Sequence, residues 1–548
     1  VLSVSADITA KNALAYKTPV YLVHFDGETT DYVNHVPVSP SNTCKQYLIG
    51  ISGSGSSVTP EEGRGSISSH QVEILDVNDE ITALLATDGA YFHRKKVTIK
   101  AGYLGTTEAD MASVFTGWVT GLSLSADGLS YLFAVTDPQR WMQRKVFRGA
   151  ESSNVIVQGN PLTILLRILT STGAGTNGDY DNLSESNGLG IDDDFIDVAG
   201  IEQVRDDYFP GNSHYMRFVI DERIRAKDFI ETELLKPLNL YPVITGAGKF
   251  SVRPTKPPIA ALSSVQSFST DSVIGIPKWD ANLDAMINEV EFSYQYSVVT
   301  GEFSTVAYYA DSSSINARGP GKKVLEVKSR GLRSSISGAS LNLYAADVVA
   351  RRVAAVFGRW AVPPVKITVK TFFSRWLSEP GDIVPLTYPL LPDIVAGTRG
   401  LAATRLEIVD RTVDWKRGTC TFTMIDTGFA KGSYGAISPA MTVIAGASAT
   451  QFTVSTTDAV KYSEYTLPEI QLRDANGRVK AASATLLTVD TSTGVCTCDD
   501  LGLTPSAGDV VTFANYDDCT AEQKLYSFIA DATEKLGAAD DAARLIVP

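Results

Sequence analysis

The sequence predicts a mainly β protein with an α+β insertion and a small β-barrel towards its C-terminal end. Three observations carry this. Short runs of alternating apolar and polar residues recur, each closed by a Gly, Asn or Asp turn every 8–12 residues or so. The period changes to a helical one between residues 151 and 275. A compositionally separate stretch, 440–515, is rich in Thr, Ser, Ala and Val. With 548 residues and a usual domain of about 100–200 residues, several cores are expected. The segment limits read from the sequence are 1–150, 151–275, 276–435, 436–516 and 517–548.

Val20-Tyr21-Leu22-Val23-His24-Phe25 reads as a buried strand ended by Asp26-Gly27. The Ser/Gly-rich stretch Gly50 to Gly65 reads as a turn cluster, followed by a half-buried strand marked by Ile67, Val72, Ile74 and Leu75. Val97 to Tyr103 alternates, as a strand with one wet face does. Val114 to Val119 and Tyr131 to Val135 flank the hairpin signal Ser125-Ala126-Asp127-Gly128. Asn160-Pro161 before Leu162 to Leu169 predicts a capped helix with Pro in its first turn. A Gly/Asn/Asp-rich loop follows, Gly173 to Gly190. Ala226 to Leu235 reads as a helix that Pro237 ends.

Strands return with Asn288 to Tyr296, a turn at Thr300-Gly301, and Glu302 to Tyr309. Ala345 to Phe357 places Val348, Val349, Val353 and Val356 on one helical face, and Val365 to Lys370 is the next strand. In the 440–515 segment, turn signals at Asn476-Gly477, Ser492-Thr493-Gly494 and Ser506 to Asp509 predict a small barrel. Ala521 to Ala530 reads as a short helix.

The formal charge of −14 argues against a broad electrostatic grip on nucleic acid, which needs Lys and Arg along the phosphates. Arg94-Lys95-Lys96 is too short a basic run to change that. No run of 18 or more apolar residues predicts a transmembrane helix, so no stable membrane insertion is expected. Val1 to Ala6 lacks the basic start and long apolar stretch of a signal peptide, so synthesis in a cytoplasm is the expectation. Five cysteines in 548 residues are too few, and odd in number, for a disulfide framework.

Candidate chemistry is sparse. The five histidines, His24, His35, His70, His93 and His214, show no metal-ligating spacing. Gly53-Ser54-Gly55-Ser56-Ser57 has the outline of a nucleophile elbow but no following helix. Asp192, Asp193, Asp194 and Asp197, with Asp179 and Asp181 before them, could offer oxygens to a hard cation, but the bidentate Glu and its spacing are missing. Cys496-Thr497-Cys498 would put two sulfurs on one face of a strand. With Cys420 and Cys519 they form the one cysteine group that could hold zinc or an iron–sulfur cluster. The alternative is that these cysteines serve as small core hydrophobes. No cofactor is expected, with iron–sulfur or zinc as the exception to test, and no catalytic residues are assigned. Trp118, Trp141, Trp360, Trp376 and Trp415 could stack on sugars or fill cores. A carbohydrate-binding or cell-wall-cleaving protein is therefore the alternative reading.

Several stretches, in order, resemble the baseplate hub and tail-tip proteins of long-tailed, siphovirus-like bacteriophages. They are Gly63 to Ser68, Val72 to Asp76, Val97 to Tyr103, Val114 to Val119 and Val135-Thr136-Asp137-Pro138. A second set is Arg330-Gly331-Leu332 before the helix at Ala345, Leu377 to Thr387 as strand-turn-strand, Asp426 to Phe429 as its close, and Gln523 to Asp531. The resemblance implies the hub fold of contractile tails and type VI secretion spikes, with two related β-barrels, at 1–150 and 276–435, around the insertion. It also implies a structural role as a homotrimeric ring in the virion tail tip; hub proteins of this kind sometimes carry lysozyme or peptidase domains, and that this chain is not an enzyme is expected from its lack of catalytic motifs. Such a ring would meet a distal tail protein, a tape-measure protein and tail fibre or receptor-binding proteins, with DNA only in transit. Some proteins of that kind are thought to hold an iron–sulfur cluster on cysteines.

Overall fold

In the computed structural model the described residues are 4–513 and 526–528, apart from 15–16, 54, 152–153, 173–182, 184–186, 210–215, 246, 256–265, 282, 334–344, 395–396, 416, 427–433, 437–440, 464–468 and 474–478. The protein is mostly β, as the sequence predicts. The first sheet takes ten strands' worth of chain. These are β1 (Pro19–Phe25), β2 (Thr30–Val33), β3 (Thr43–Lys45), β4 (Leu48–Gly53), β5 (Ser56–Thr59), β6 (Arg64–Gly65), β7 (Ser69–Leu75), β8 (Lys96–Tyr103), β9 (Ala112–Leu124) and β10 (Ser130–Thr136). Eight of them form one sheet in the order β3-β2-β1-β8-β9-β10-β7-β4. β1 is apolar on both faces for a reason. Tyr21, Val23 and Phe25 enter the large core, while Val20 and Leu22 pack with Val33 and Met111 behind the sheet. A strand covered on both sides reads as a continuous apolar run, not an alternating one.

β5 and β6 leave that sheet. β5 pairs antiparallel with the strand Thr398–Asp414, Ser56 opposite Arg411 and Ser57 opposite Asp410. The second sheet therefore runs Lys278–Ala281, Val365–Phe372, Thr419–Asp426, Thr398–Asp414, β5, β6, with Ile383–Asp393 also on Thr398–Asp414. The Gly50–Gly65 stretch is thus strand, turn and strand, where the sequence suggests only turns. Its small residues are needed because the backbones touch: a Cβ on Gly55 would sit 2.0 Å from the Arg411 carbonyl oxygen. Both sheets feed a single core, in which Tyr21, Val23 and Ile99 from the first meet Ile367, Trp376 and Phe422 from the second.

A second core is built on the insertion, and it also takes residues from beyond the insertion's sequence limit. The helix Pro161–Thr170 lies at its centre, with Leu162, Ile164, Leu165, Leu166, Ile168 and Leu169 all fully buried. Its cap is as the sequence predicts: the Asn160 side chain accepts from Leu162 N, and its Nδ2 donates to Phe209 O at 2.5 Å. Val290 and Phe292 of Glu289–Ser297, and Val349, Val353 and Val356 of the helix Ala345–Trp360, pack into this same core. The hairpin of Glu289–Ser297 and Glu302–Ala310 forms as expected, with Leu325–Lys328 added in parallel on the other side.

The segment at 226 departs from a plain helix. Ala226–Asp228 is α-helical, Phe229–Leu235 widens to a π-helix and Lys236–Leu238 tightens to a 3₁₀ turn. Pro237 does not end the helical path before it. It falls in the first turn of the 3₁₀ segment, where its missing N–H is not needed, and Asn239 at φ 59° closes the run. Leu377 to Thr387 is likewise not strand-turn-strand. A 3₁₀ turn, Phe373–Arg375, and a turn at Gly381 (φ +84°) precede the strand Ile383–Asp393. At the C-terminal end Met441–Ser448, Gln451–Val454, Val495–Cys498, Val479–Val489, Glu469–Arg473 and Val510–Phe513 close a six-stranded barrel. It has its own core around Met441, Phe452, Tyr462 and Leu472. Of the helix expected over Ala521–Ala530, the described residues Tyr526–Phe528 are a strand paired with Tyr434–Ala436. The remainder lies outside the described residues, as does the turn expected at Asn476-Gly477.

One buried acid gives the fold a pH signature. Asp137 is fully buried and accepts from Ser68 N, Ser68 Oγ and Gln139 N. Desolvation outweighs these donors and pushes its carboxyl up from 3.8 to about 6. A carboxyl raised in the folded state favours folding while it is protonated. Its contribution is complete below pH 3.8 and is lost as pH rises through 6, a swing of about 3 kcal/mol. Chemical denaturation at stepped pH checks this: the stability difference between wild type and Asp137→Asn should shift against wild type from pH 4 to 6 and level off above. A flat difference overturns it.

Candidate functional site

A group of buried charged residues lies at the junction of the two cores. The turn Pro60–Glu62 is held there by three cations from separate elements. Lys236 Nζ donates to Glu62 Oε2 at 2.6 Å and Lys323 Nζ to Glu62 Oε1 at 2.7 Å, and these ammonium groups overcome burial to bring the Glu62 carboxyl down to about 2. Arg352, buried in the helix Ala345–Trp360, donates to Glu61 O and Asn239 Oδ1. Burial lowers its pKa to about 10 against the pull of Glu61 and Glu62. Two helical turns on, Arg359 pairs with Glu407, both almost fully buried, and Tyr241 Oη donates to Glu407 Oε1 at 2.8 Å. Burial first, and then the neighbouring Glu407 carboxylate, raise the Tyr241 phenol well above its ordinary value. Arg253 Nη1 donates to Asp382 Oδ1 at 2.8 Å and lies 3.7 Å from Glu379. Burial opposes the Arg253 charge, but these two acids outweigh it and its pKa rises.

This arrangement is a brace. Lys236, Lys323, Arg253 and Arg359 each have a carboxylate partner, Arg352 is held by neutral oxygens, and the partners come from different elements of the chain. Removing one member would leave a buried charge uncompensated, which is how such pairs enforce one arrangement of their elements. The geometry holds elements together; it offers no exposed nucleophile beside a base.

The cysteine group does not assemble. Cys420 is fully buried in the core of the two sheets, opposite Thr371. Cys496 and Cys498 point to one face of their strand, as the spacing predicts, but that face is the apolar barrel core with Val443, Phe452, Val454 and Leu486. Cys519 lies outside the described residues. Desolvation raises the thiols of Cys420 and Cys496 to about 12 and that of Cys498 to about 11. The described cysteines of the group are thus divided between two cores, Cys420 in that of the two sheets and Cys496 and Cys498 in that of the barrel. Among the described residues no three His, Cys, Asp or Glu gather as a metal site. At pH 8 only about one in a thousand of the Cys498 thiols is ionised, and fewer of the others. Peptide mapping after iodoacetamide should therefore find Cys496 and Cys498 unmodified in the folded protein and fully modified in denaturant. Equal labelling in both would overturn this placement.

No protein-family model matches the chain, and no curated protein does. Similar solved structures include a tail protein from Neisseria meningitidis MC58, at 13% identity and TM-score 0.39, covering 75% of this chain and 97% of that one. Another is the 43 kDa tail protein of prophage MuSo2 from Shewanella oneidensis, at 9% identity and TM-score 0.38, covering 75% and 99%. A third is the prophage tail protein gp18 from Listeria monocytogenes EGD-e, at 10% and 0.34, covering 74% and 94%.

The other residues considered from the sequence have structural employment. Asp192 caps a 3₁₀ turn by accepting from Asp194 N, Asp194 pairs with Lys96, and Asp197 caps the helix Val198–Tyr208. Asp179 and Asp181 lie outside the described residues. His24 Nδ1 is 2.7 Å from buried Asp31, His35 and His93 are exposed, and His214 is outside the described residues. Trp118, Trp360, Trp376 and Trp415 are each at most 5% exposed, and half-buried Trp141 lies flat on Trp118 at 4.5 Å. These rings fill cores and do not form a sugar-stacking surface. The Arg/Glu brace was missed in the sequence because its members are 48 to 300 or so residues apart, with no local spacing to betray them.

Proposed function

We propose that this chain is a structural hub protein of a bacteriophage tail tip. In this reading three copies form a ring that links the tail tube and distal tail protein to the tip or fibre proteins. The observation that carries it is the fusion of the two large sheets. β5 from the first segment completes the sheet of the third, both sheets share one core, and the ionic brace fixes the insertion against them. Such a body transmits load as one piece, which a ring subunit between tube and tip requires. The ordered motifs from Gly63 to Asp531 point the same way. The strand Glu302–Ala310 ends its three-stranded sheet, with Val306 and Tyr308 more than half exposed. An open, partly apolar strand edge is suited to burial against another subunit.

In this reading the ring meets a tape-measure protein in its channel and fibre or receptor-binding proteins below, DNA passes through without stable binding, and the net charge of −14 keeps the passing strand from sticking. The role is mechanical, not enzymatic. Cryo-electron microscopy of the intact particle tests this, together with a peptidoglycan turnover assay on the purified chain. Three copies around the tail axis at the tip support the reading. Another location or copy number, or measurable turnover, overturns it.

A further inference from the structure

A small cavity of about 50 Å³ lies where three parts of the chain meet. β7 supplies His70, the strand Thr398–Asp414 supplies Arg411, and the turn after it supplies Trp415. Ser56 of the crossing strand and Thr245 of the hairpin tip complete the wall. Three nitrogens here are buried and have no hydrogen-bond partner: His70 Nδ1, Arg411 Nε and Trp415 Nε1. Orphaned buried polar atoms are rare in folded proteins and call for an occupant. Among the described residues fourteen side-chain atoms are in this state, and three of them belong to residues that line this one cavity.

The chemistry of the wall selects the occupant. Trp415 Nε1 can only donate, and a guanidinium can only donate. Burial and the neighbouring Arg411 bring His70 down to about 4, so its ring is neutral at pH 7 and can offer Nδ1–H. Thr245 Oγ1 already accepts from Lys249 N at 3.1 Å, which leaves its own O–H to donate. Ser68, also on the wall, is committed to Asp137. No ion pair is formed by Arg411 among the described residues, in contrast to Arg253, Arg330 and Arg359. Glu379 acts on Arg411 electrostatically but forms no ion pair with it, so water would fill the hydrogen bonds and leave the half-buried guanidinium without a direct counter-charge. An anion supplies both. The volume admits one small ion and no more.

We propose that this cavity binds a single small monovalent anion of the halide class, held by Arg411, Trp415 Nε1–H and His70 Nδ1–H. The ion ties the first sheet, the second sheet and the hairpin Leu240–Pro254 together at one point.

Bromide is the probe. Crystals of the full chain grown in sodium bromide should show an anomalous peak in the cavity, within hydrogen-bonding reach of Arg411 and Trp415. The peak should vanish in Arg411→Gln and persist in Arg417→Gln, whose arginine is exposed on the neighbouring turn. In solution, bromide should quench part of the tryptophan fluorescence saturably, with a midpoint on the order of millimolar, and Trp415→Phe should abolish the saturable part. Should Arg411→Gln fail to fold, the wild-type crystal and the Trp415→Phe titration still decide. Water density without anomalous signal, or quenching that is linear in bromide and unchanged by Trp415→Phe, overturns the proposal.

Discussion

Arg359→Met should destabilise the protein by about 3–5 kcal/mol, because it strands a buried carboxylate. Glu407 would keep only the Tyr241 hydroxyl, at 2.8 Å, in a site where it is 4% exposed. The cost is that of desolvating a charge without its partner, not the modest net worth of the pair. The double variant Arg359→Met/Glu407→Met removes both charges and should recover most of the loss. Denaturant titration of the wild type and both variants measures this. If the single variant is as mild as the double, the pair is solvated and does not brace the junction. The helix Ala345–Trp360 belongs to the insertion's core and Glu407 to the strand Thr398–Asp414, so the loss should also loosen one core from the other. Hydrogen exchange in Pro60–Gly65 should rise with it.

Trp376→Ala should cost about 3–5 kcal/mol as well, by leaving a cavity. Its ring is fully buried and stacks on Phe373 at 5.6 Å and 12°. Its Nε1 donates to Tyr103 Oη at 3.0 Å, and Tyr103 sits on β8 of the first sheet. One side chain thus bridges both sheets. Trp376→Phe keeps the stacking and loses the hydrogen bond, so it should cost roughly 1–2 kcal/mol, less than the alanine because the Tyr103 hydroxyl still donates to Asn12 Oδ1. A two-step unfolding curve in Trp376→Ala, set against a single step for the shared core in wild type, would be the clearest sign that the sheets have separated. An unchanged midpoint would mean that the two sheets do not depend on each other there.

Local periodicity made most strands legible. β1, β8, β10 and the hairpin from Glu289 stand where alternation or an apolar run places them, and the Asn160 cap was readable from two adjacent residues. What escaped depends on distant partners. β5 is two serines, a valine and a threonine beside glycines, and it is a strand because Thr398–Asp414 lies next to it. The π-turn over Phe229–Leu235 and the 3₁₀ turn after it follow from packing into the insertion's core, and Pro237 alone suggested a stop. For the cysteines, the sequence showed which face Cys496 and Cys498 share but not what lies opposite. The cavity at Arg411 left no mark at all, since its walls come from positions 56, 70, 245, 411 and 415.

The crossing of β5 has a consequence for synthesis. Ser56 pairs with Arg411, 355 residues further along. At about 5–20 residues per second, the ribosome delivers that partner roughly 20 to 70 s after Ser56 has emerged. For that interval the first sheet can pair internally, while β5 has only β6 to pair with and its other edge stays open. A nascent chain arrested before residue 398 should thus carry an open strand edge at Ser56 and Ser57 that proteases can reach, and one released after 414 should not. The same strand that welds the two sheets together would be the last of the first segment's strands to find its full set of partners.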